Sequence, residues 1–263
     1  MKKILEKIGE VTLLQLDQLG TVVLLAIKTV TYIFKRPFSV KNLIEQMVRI
    51  GFNSIPVTLI TALSTGMVLA LQTGFTLKAR LQGSEQYLGA IVGLSFVREL
   101  GPTLTALMVT GRIGSAIAAE LGTMKVTEQI DALITLSANP VQYLSVPRFL
   151  AAILMFPALT ITADIVGIIG GGIAATSLFN LSVQNYLQQT LLYIKLADIS
   201  GGLVKSVVFG GMMAIISCFQ GFNTRGGAEG VGISTTRAVV ITSVSIIISD
   251  YLMSAIITKM LRF

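Results

Sequence analysis

Hydrophobic positions along the chain gather into five long runs, approximately 53–77, 87–111, 149–179, 199–223 and 238–258. Within each run they are continuous, without the two-residue alternation of a half-buried strand or the single stripe of a soluble helix. Each run exceeds the roughly 20 residues that carry a helix, at about 1.5 Å per residue, across bilayer hydrocarbon about 30 Å thick. The pattern predicts an all-α integral membrane protein with five transmembrane helices.

The first 50 residues read differently. Leu13 to Phe34 is apolar but cut by Asp17 and Lys28, which leaves only Gln18 to Ile27 free of charge, and Lys41 to Arg49 is mixed. These segments predict interfacial, elbow-like helices along the membrane surface, with basic side chains reaching the headgroups. The chain therefore divides into 1–50 and a membrane domain, 51–263. Met1 to Lys7 is basic, but Glu6, Glu10 and Asp17 follow, so the start lacks the apolar core of a signal peptide.

Loop charges orient the spans. Lys2, Lys3, Lys7, Lys28, Lys35, Arg36, Lys41 and Arg49 precede the first span, and Arg112, Lys125, Arg148, Arg225 and Arg237 flank later spans on that same side. The opposite side holds only Lys78, Arg80, Lys195, Lys259 and Arg262. The positive-inside rule predicts a cytoplasmic N-terminus and, with five spans, a C-terminus outside.

Composition narrows the chemistry. Of the residues 53% are hydrophobic and 13% charged, about half the charged share of a soluble domain. Mean hydropathy is +0.79. With no His and a single Cys218 in an apolar run, neither a conventional zinc site nor a Ser-His-Asp triad can be built. No catalytic set, metal or bound cofactor is expected, and no nucleic-acid partner.

Five charges lie inside the runs: Arg98, Glu99, Asp164, Lys205 and Asp250. A charge in hydrocarbon costs at least about 3 kcal/mol and usually serves a pathway or gate. Arg98 and Glu99 are adjacent, hence about 100° apart on a helix, and each needs a partner elsewhere. Pro102 removes the amide that would bond the Arg98 carbonyl, leaving a kink and a free acceptor. Glu99, Lys205 and Asp250 are placed to meet in the outer half, with Arg98 beside them, either as a working site or as ion pairs that fix helix packing. Asp164 has no evident partner. In the third run, Gly167 and Gly171 form a small-xxx-small pair that admits a close helix, within the chain or from a second copy.

The segment between the second and third runs stands apart. Val126, Ile130, Leu133 and Ile134 share one helix face, with Lys125, Glu128 and Asp131 elsewhere around it. Thr123 can cap the start and Asn139-Pro140 stop the end, predicting an amphipathic cytoplasmic helix over about 120–136. Such a helix suits a groove on a soluble partner or the membrane surface.

Three runs carry a resemblance: Arg98-Glu99-Leu100-Gly101-Pro102, then Gly111-Arg112-Ile113-Gly114-Ser115-Ala116, then Ala119-Glu120 through Ala132-Leu133. Together they resemble the signature of the MlaE permease family, the membrane subunits of MCE-type ABC transporters that handle phospholipids and related lipids. The likeness extends from about Ile55 to Leu261. It implies a homodimer, two cytoplasmic ATPase subunits that hold the ATP and Mg, and an MCE-domain protein on the outer side. It also implies that 120–136 is a coupling helix, with Glu120, Lys125, Glu128, Ile130, Asp131 and Leu133 facing the ATPase. The pattern G-x-x-x-x-G-K-[ST] is absent here, so ATP must be hydrolysed by another subunit.

A lipid substrate requires a largely apolar cavity. Its walls are expected on the outer ends of the first and fifth spans: Leu71, Phe75, Leu77, Leu252 and Ile256, above the charges. The implied membrane is a bacterial inner membrane or the inner envelope of a plastid. The competing function is an ion-coupled secondary carrier using the buried carboxylates, against which stand the missing inverted repeat and the 120–136 helix.

Overall fold

A computed structural model describes residues 2–35, 39–80 and 84–261, and the described residues contain helices and no strand. The elements are α1 (Lys2–Ile33), α2 (Val40–Ile50), α3 (Ile55–Arg80), α4 (Leu88–Ser95), α5 (Gly101–Val109), α6 (Ser115–Val126), α7 (Gln129–Thr135), α8 (Val146–Phe179), α9 (Val183–Tyr193), α10 (Leu196–Phe222) and α11 (Gly227–Leu261). Wider π turns at Phe96–Leu100 and Thr110–Gly114 join α4, α5 and α6 end to end. The second run is thus one rod that continues well past residue 111, and no fresh helix begins near 120. A third π turn, Val141–Ser145, opens α8.

The rod is the axis of the bundle. α5 packs between α8 and α10, α6 between α10 and α11, α3 lies along α8, and α4 meets α9. One end, here the base, gathers Arg49, Glu120 and Arg148. The other, the crown, carries α9, an element that the loop composition of 180–198 did not suggest. Ser182 starts it by accepting from the Asn185 amide at 3.2 Å. Tyr186 and Thr190, one turn apart, are its buried face. Two apolar clusters fill the bundle, one around Phe156, Phe209 and Met213, the other around Val92, Phe96 and Ala175. Outward, Ile161, Ile165, Ile169 and Ile173 make an exposed stripe along α8, as hydrocarbon solvent allows.

α1 runs unbroken from Lys2 to Ile33. Asp17 and Lys28 do not interrupt it, because both point outward and a helix backbone satisfies itself regardless of them. Its stretch Leu16–Ile33 is long and apolar enough to cross a membrane, as are five longer segments. Val22, Val23 and Ala26 line a groove of about 450 Å³ with Phe149, Ile153 and residues of α10. In α2, Ser39 caps the start, and the helix packs on α8, where Gly51 accommodates the end of Met155.

Small residues set the closest contacts. A Cβ on Gly66 would collide with the carbonyl oxygen of Gly167, and one on Gly170 with that of Leu63, so α3 and α8 touch backbone to backbone. Gly167 and Gly171 also receive Phe96, Val92 and Tyr186. That pair is occupied within the chain and leaves no groove for a second copy. Gly66→Leu should therefore destabilise the fold by about 3 kcal/mol, the upper range for overpacking, because the opposing atoms are backbone. Thermal unfolding in detergent measures it; a melting temperature unchanged from wild type would refute the close contact.

Candidate functional site

Lys205 is 2% exposed and sits at mid-height of α10. It reaches the rod because a Cβ on Gly202 would strike the carbonyl of Val97; without one, the two helices close up. The Lys205 ammonium donates to Glu99 Oε2 at 2.5 Å, to Ser254 Oγ at 2.7 Å and to the Arg98 carbonyl at 3.0 Å. That carbonyl is the one Pro102 leaves without a helical donor. Asp250 Oδ1 lies 2.9 Å from the same nitrogen but has no hydrogen bond. An ammonium has three N–H groups, and the other three acceptors use them, so Asp250 contributes charge only. Ser254 stands 2.9 Å from Glu99 Oε1, tying α11 to the same carboxylate.

The second pair is Arg98 with Asp198. Arg98 Nε donates to Asp198 Oδ1 at 2.7 Å, and Asp198 Oδ2 accepts from the Lys195 amide at 3.0 Å. Asp198 is buried in the first turn of α10, where the positive end of the helix dipole favours a carboxylate. Arg98, Glu99, Asp198, Lys205, Ser254 and neighbours line a cavity of about 240 Å³ towards the crown. The side chains of Arg98 and Glu99 are 55% and 46% exposed at its mouth. The expected meeting of Glu99, Lys205 and Asp250 is found. Asp198 and Ser254 had escaped the reading, although each is on the face of a charge already noted: Asp198 is two turns before Lys205, and Ser254 one turn after Asp250.

Asp164 lies elsewhere, on α8 against Gly101, where any Cβ would meet its carboxylate. Its Oδ1 is buried without a hydrogen bond. Leu71, Phe75 and Leu77 are on α3, where Phe75 stacks edge-on against Phe179 at 5.3 Å and Leu77 joins the crown cluster. Leu252 and Ile256 are exposed on α11. α3 packs on α8 and α11 on α10 and α6, so one chain does not bring these two sets into a shared wall.

At the base, the expected single helix over 120–136 is two pieces. α6 ends at Val126, Glu128 adopts a left-handed conformation (φ 60°), and α7 starts at Gln129. Thr123 is inside α6 and caps nothing. α7 stops at Thr135, before Ser137 (φ 59°), while the Asn139 side chain accepts from the Val141 amide and so begins the next helix. The break turns the apolar face: Ile130 is 5% exposed and Leu133 packs on the core, leaving Ile134 at 56% and Leu136 at 78% on the outer tip. Lys125 pairs with Asp131 at 2.9 Å. Glu120, itself exposed, lies 3.1 Å from the buried Arg148 and 3.3 Å from Arg49, clamping α6 to α8 and α2.

Apolar helices of membrane-crossing length around a buried charge hub define an all-α membrane protein. Comparison with known proteins gives its family: the profile described as Permease MlaE matches residues 43–256. The chain is 42% identical over 254 residues to a probable ABC transporter permease protein of Rickettsia typhi, covering 96% of each. It is 44% identical over 214 residues to another from Synechocystis, covering 81% of each. It is also 37% identical over 235 residues to the chloroplastic protein TRIGALACTOSYLDIACYLGLYCEROL 1 of Arabidopsis thaliana, covering 89% of this chain and 67% of that protein. The chain belongs to the MlaE permease family.

The hub predicts an asymmetric mutational response. Lys205→Met strands Glu99 and Asp250 and should cost about 3 kcal/mol, since one buried partner is lost and the charges remain. Removing all three charges together (Lys205→Met with Glu99→Gln and Asp250→Asn) should cost less than the single change. Chemical or thermal unfolding of the two proteins compares them; a triple variant weaker than Lys205→Met refutes the hub.

Proposed function

We propose that this chain is the membrane subunit of an ATP-driven MCE-type lipid transporter, moving phospholipid or a related lipid between the membrane and an MCE-domain protein on the outer side. The observation that carries the reading is the rod. Helix continues from the charged cavity at the crown to Val126 at the base, and α7, with its exposed tip, follows directly after the turn at Glu128. Movement imposed on that tip passes the turn at Glu128 into the rod, because Ile130 and Leu133 hold α7 against the core at the rod's base. Family membership and relatives named as ABC transporter permeases support an ATPase partner, and the plant relative bears the name of a diacylglycerol glycolipid.

Two copies complete the site. Arg98 and Glu99 are about half exposed on an otherwise apolar bundle, and charges at that depth must face protein or trapped water rather than lipid. A second chain across this flank supplies the cover, and brings the exposed Leu71 and Phe75 of one copy within reach of the other's cavity. The base is cytoplasmic in this reading, in a bacterial inner membrane or a plastid inner envelope. ATP and Mg reside on the partner subunit.

Three experiments test it. Purification from a native membrane should recover an ATP-binding subunit with this chain, and recovery of a lone carrier with proton-driven transport would overturn the proposal in favour of an ion-coupled one. Ile134→Asp with Leu136→Asp should release the ATPase subunit, lowering lipid-dependent ATP hydrolysis about tenfold while the melting temperature holds; intact complex and transport would relegate α7 to a surface helix. Cysteines at Lys3 and Lys259 should label from opposite faces if α1 stays on the cytoplasmic side, whereas labelling from one face makes α1 a sixth crossing.

A further inference from the structure

The geometry points to an ethanolamine-type headgroup, a phosphate joined to a primary ammonium, as the polar group that the Arg98–Glu99 cavity selects. This rests on the lipid-permease reading and adds the headgroup class. Arg98 uses only its Nε, on Asp198; its two terminal nitrogens donate to no group among the described residues, and the side chain is 55% exposed at the mouth. A guanidinium edge of this kind takes two oxygens of a phosphate side by side. Next to it, Glu99 is 46% exposed and holds Lys205 and Ser254 while keeping acceptor capacity, since a carboxylate offers about four lone-pair sites. Free donor and free acceptor thus stand on consecutive residues at one opening.

Three headgroup classes respond differently to that opening. An anionic headgroup meets two cations, Arg98 and Lys205, against three carboxylates, Glu99, Asp198 and Asp250, a formal sum of −1. It has no second free cation, because Lys205 has all its donors engaged. A choline headgroup carries a cation without N–H groups, which proteins recognise with aromatic faces. The cavity lining contains none: beyond the charges it offers Ala197, Gly201, Gly202, Ser254, Ile257 and Thr258. A primary ammonium, in contrast, can donate directly to Glu99 while its phosphate takes the Arg98 edge. The zwitterion leaves the charge sum unchanged, so no further ion has to be buried with it.

The test titrates the detergent-purified permease with phosphatidylethanolamine, phosphatidylcholine and phosphatidylglycerol of identical acyl chains, reading bound lipid by native mass spectrometry. The ethanolamine lipid should bind at least tenfold tighter than the other two. Glu99→Gln should bring the ethanolamine-to-choline ratio to about one, and Arg98→Gln should weaken all three. Because Glu99 is also tied to Lys205, a second variant stands outside the charges: Gly201→Leu, beside Ile257, fills the cavity and should abolish the preference with the melting temperature retained. Equal or tighter binding of the glycerol or choline lipid, or a preference that survives Gly201→Leu, overturns the inference. Failure of wild type to bind any of the three refutes the lipid reading itself, whereas binding of all three in no order refutes only the headgroup class.

Discussion

An ammonium in the middle of an apolar bundle must have every N–H group engaged, and Lys205 meets that demand with a main-chain carbonyl. Helical carbonyls are ordinarily taken by the amide four residues on; Pro102 has no amide, so the Arg98 carbonyl is open and Lys205 donates to it at 3.0 Å. The remaining donors go to Glu99 and Ser254, which lie on the rod and on α11. One side chain of α10 therefore fixes three helices against each other. The glycine at 202 and the proline at 102 serve the same bond from opposite sides, one by bringing the backbone near, the other by freeing its oxygen. Loss of either leaves an unsatisfied group in a medium with no water to repair it.

The π turns extend that logic along the rod. An extra residue in a turn rotates all that follows by about 100° relative to a regular helix. At Phe96–Leu100 this brings Arg98 and Glu99 out of the apolar register towards α10 and the cavity. At Thr110–Gly114 it presents Arg112 to Ser54, 3.1 Å away, and to the carbonyl of Asn53 at the start of α3. Each of the two wide turns within the rod holds a charged residue that a regular helix would have aimed elsewhere. The rod nevertheless continues as helix from one end to the other, so Glu120 of the base clamp and Glu99 of the hub are parts of one element.

Much of this was legible from residue order. Span lengths follow from hydrocarbon thickness, and the open acceptor at Arg98 follows from Pro102 alone. The meeting of Glu99, Lys205 and Asp250 follows from the cost of leaving any of them unpaired. Asp198 was not legible because an acid in the first turn of a helix reads as an ordinary cap; only the unpaired guanidinium of Arg98 asked for it. The α6–α7 break was missed for a different reason. Apolar periodicity across 126–134 suits one helix, and nothing local demands a left-handed Glu128; it is the packing of Ile130 into the core that imposes the turn. In 1–50 the helices were legible, since Asp17 and Lys28 interrupt the hydropathy of the apolar run without interrupting the helix that carries them.

The hub and the mouth divide the polar work between them. Lys205, Asp198 and Asp250 are buried or nearly so and have their geometry set by neighbours. Arg98 is held at its Nε alone and Glu99 by Lys205 and Ser254, and both are open at the rest. A group fully bound by protein cannot respond to a ligand, and one fully free in hydrocarbon would not be tolerated. Half-held charges satisfy both limits, and they occur where the rod passes the cavity. The Arg98 carbonyl is bound by Lys205 while the terminal nitrogens of its own side chain are open at the mouth, and Pro102 permits that division of residue 98 by leaving its carbonyl without the usual helical donor.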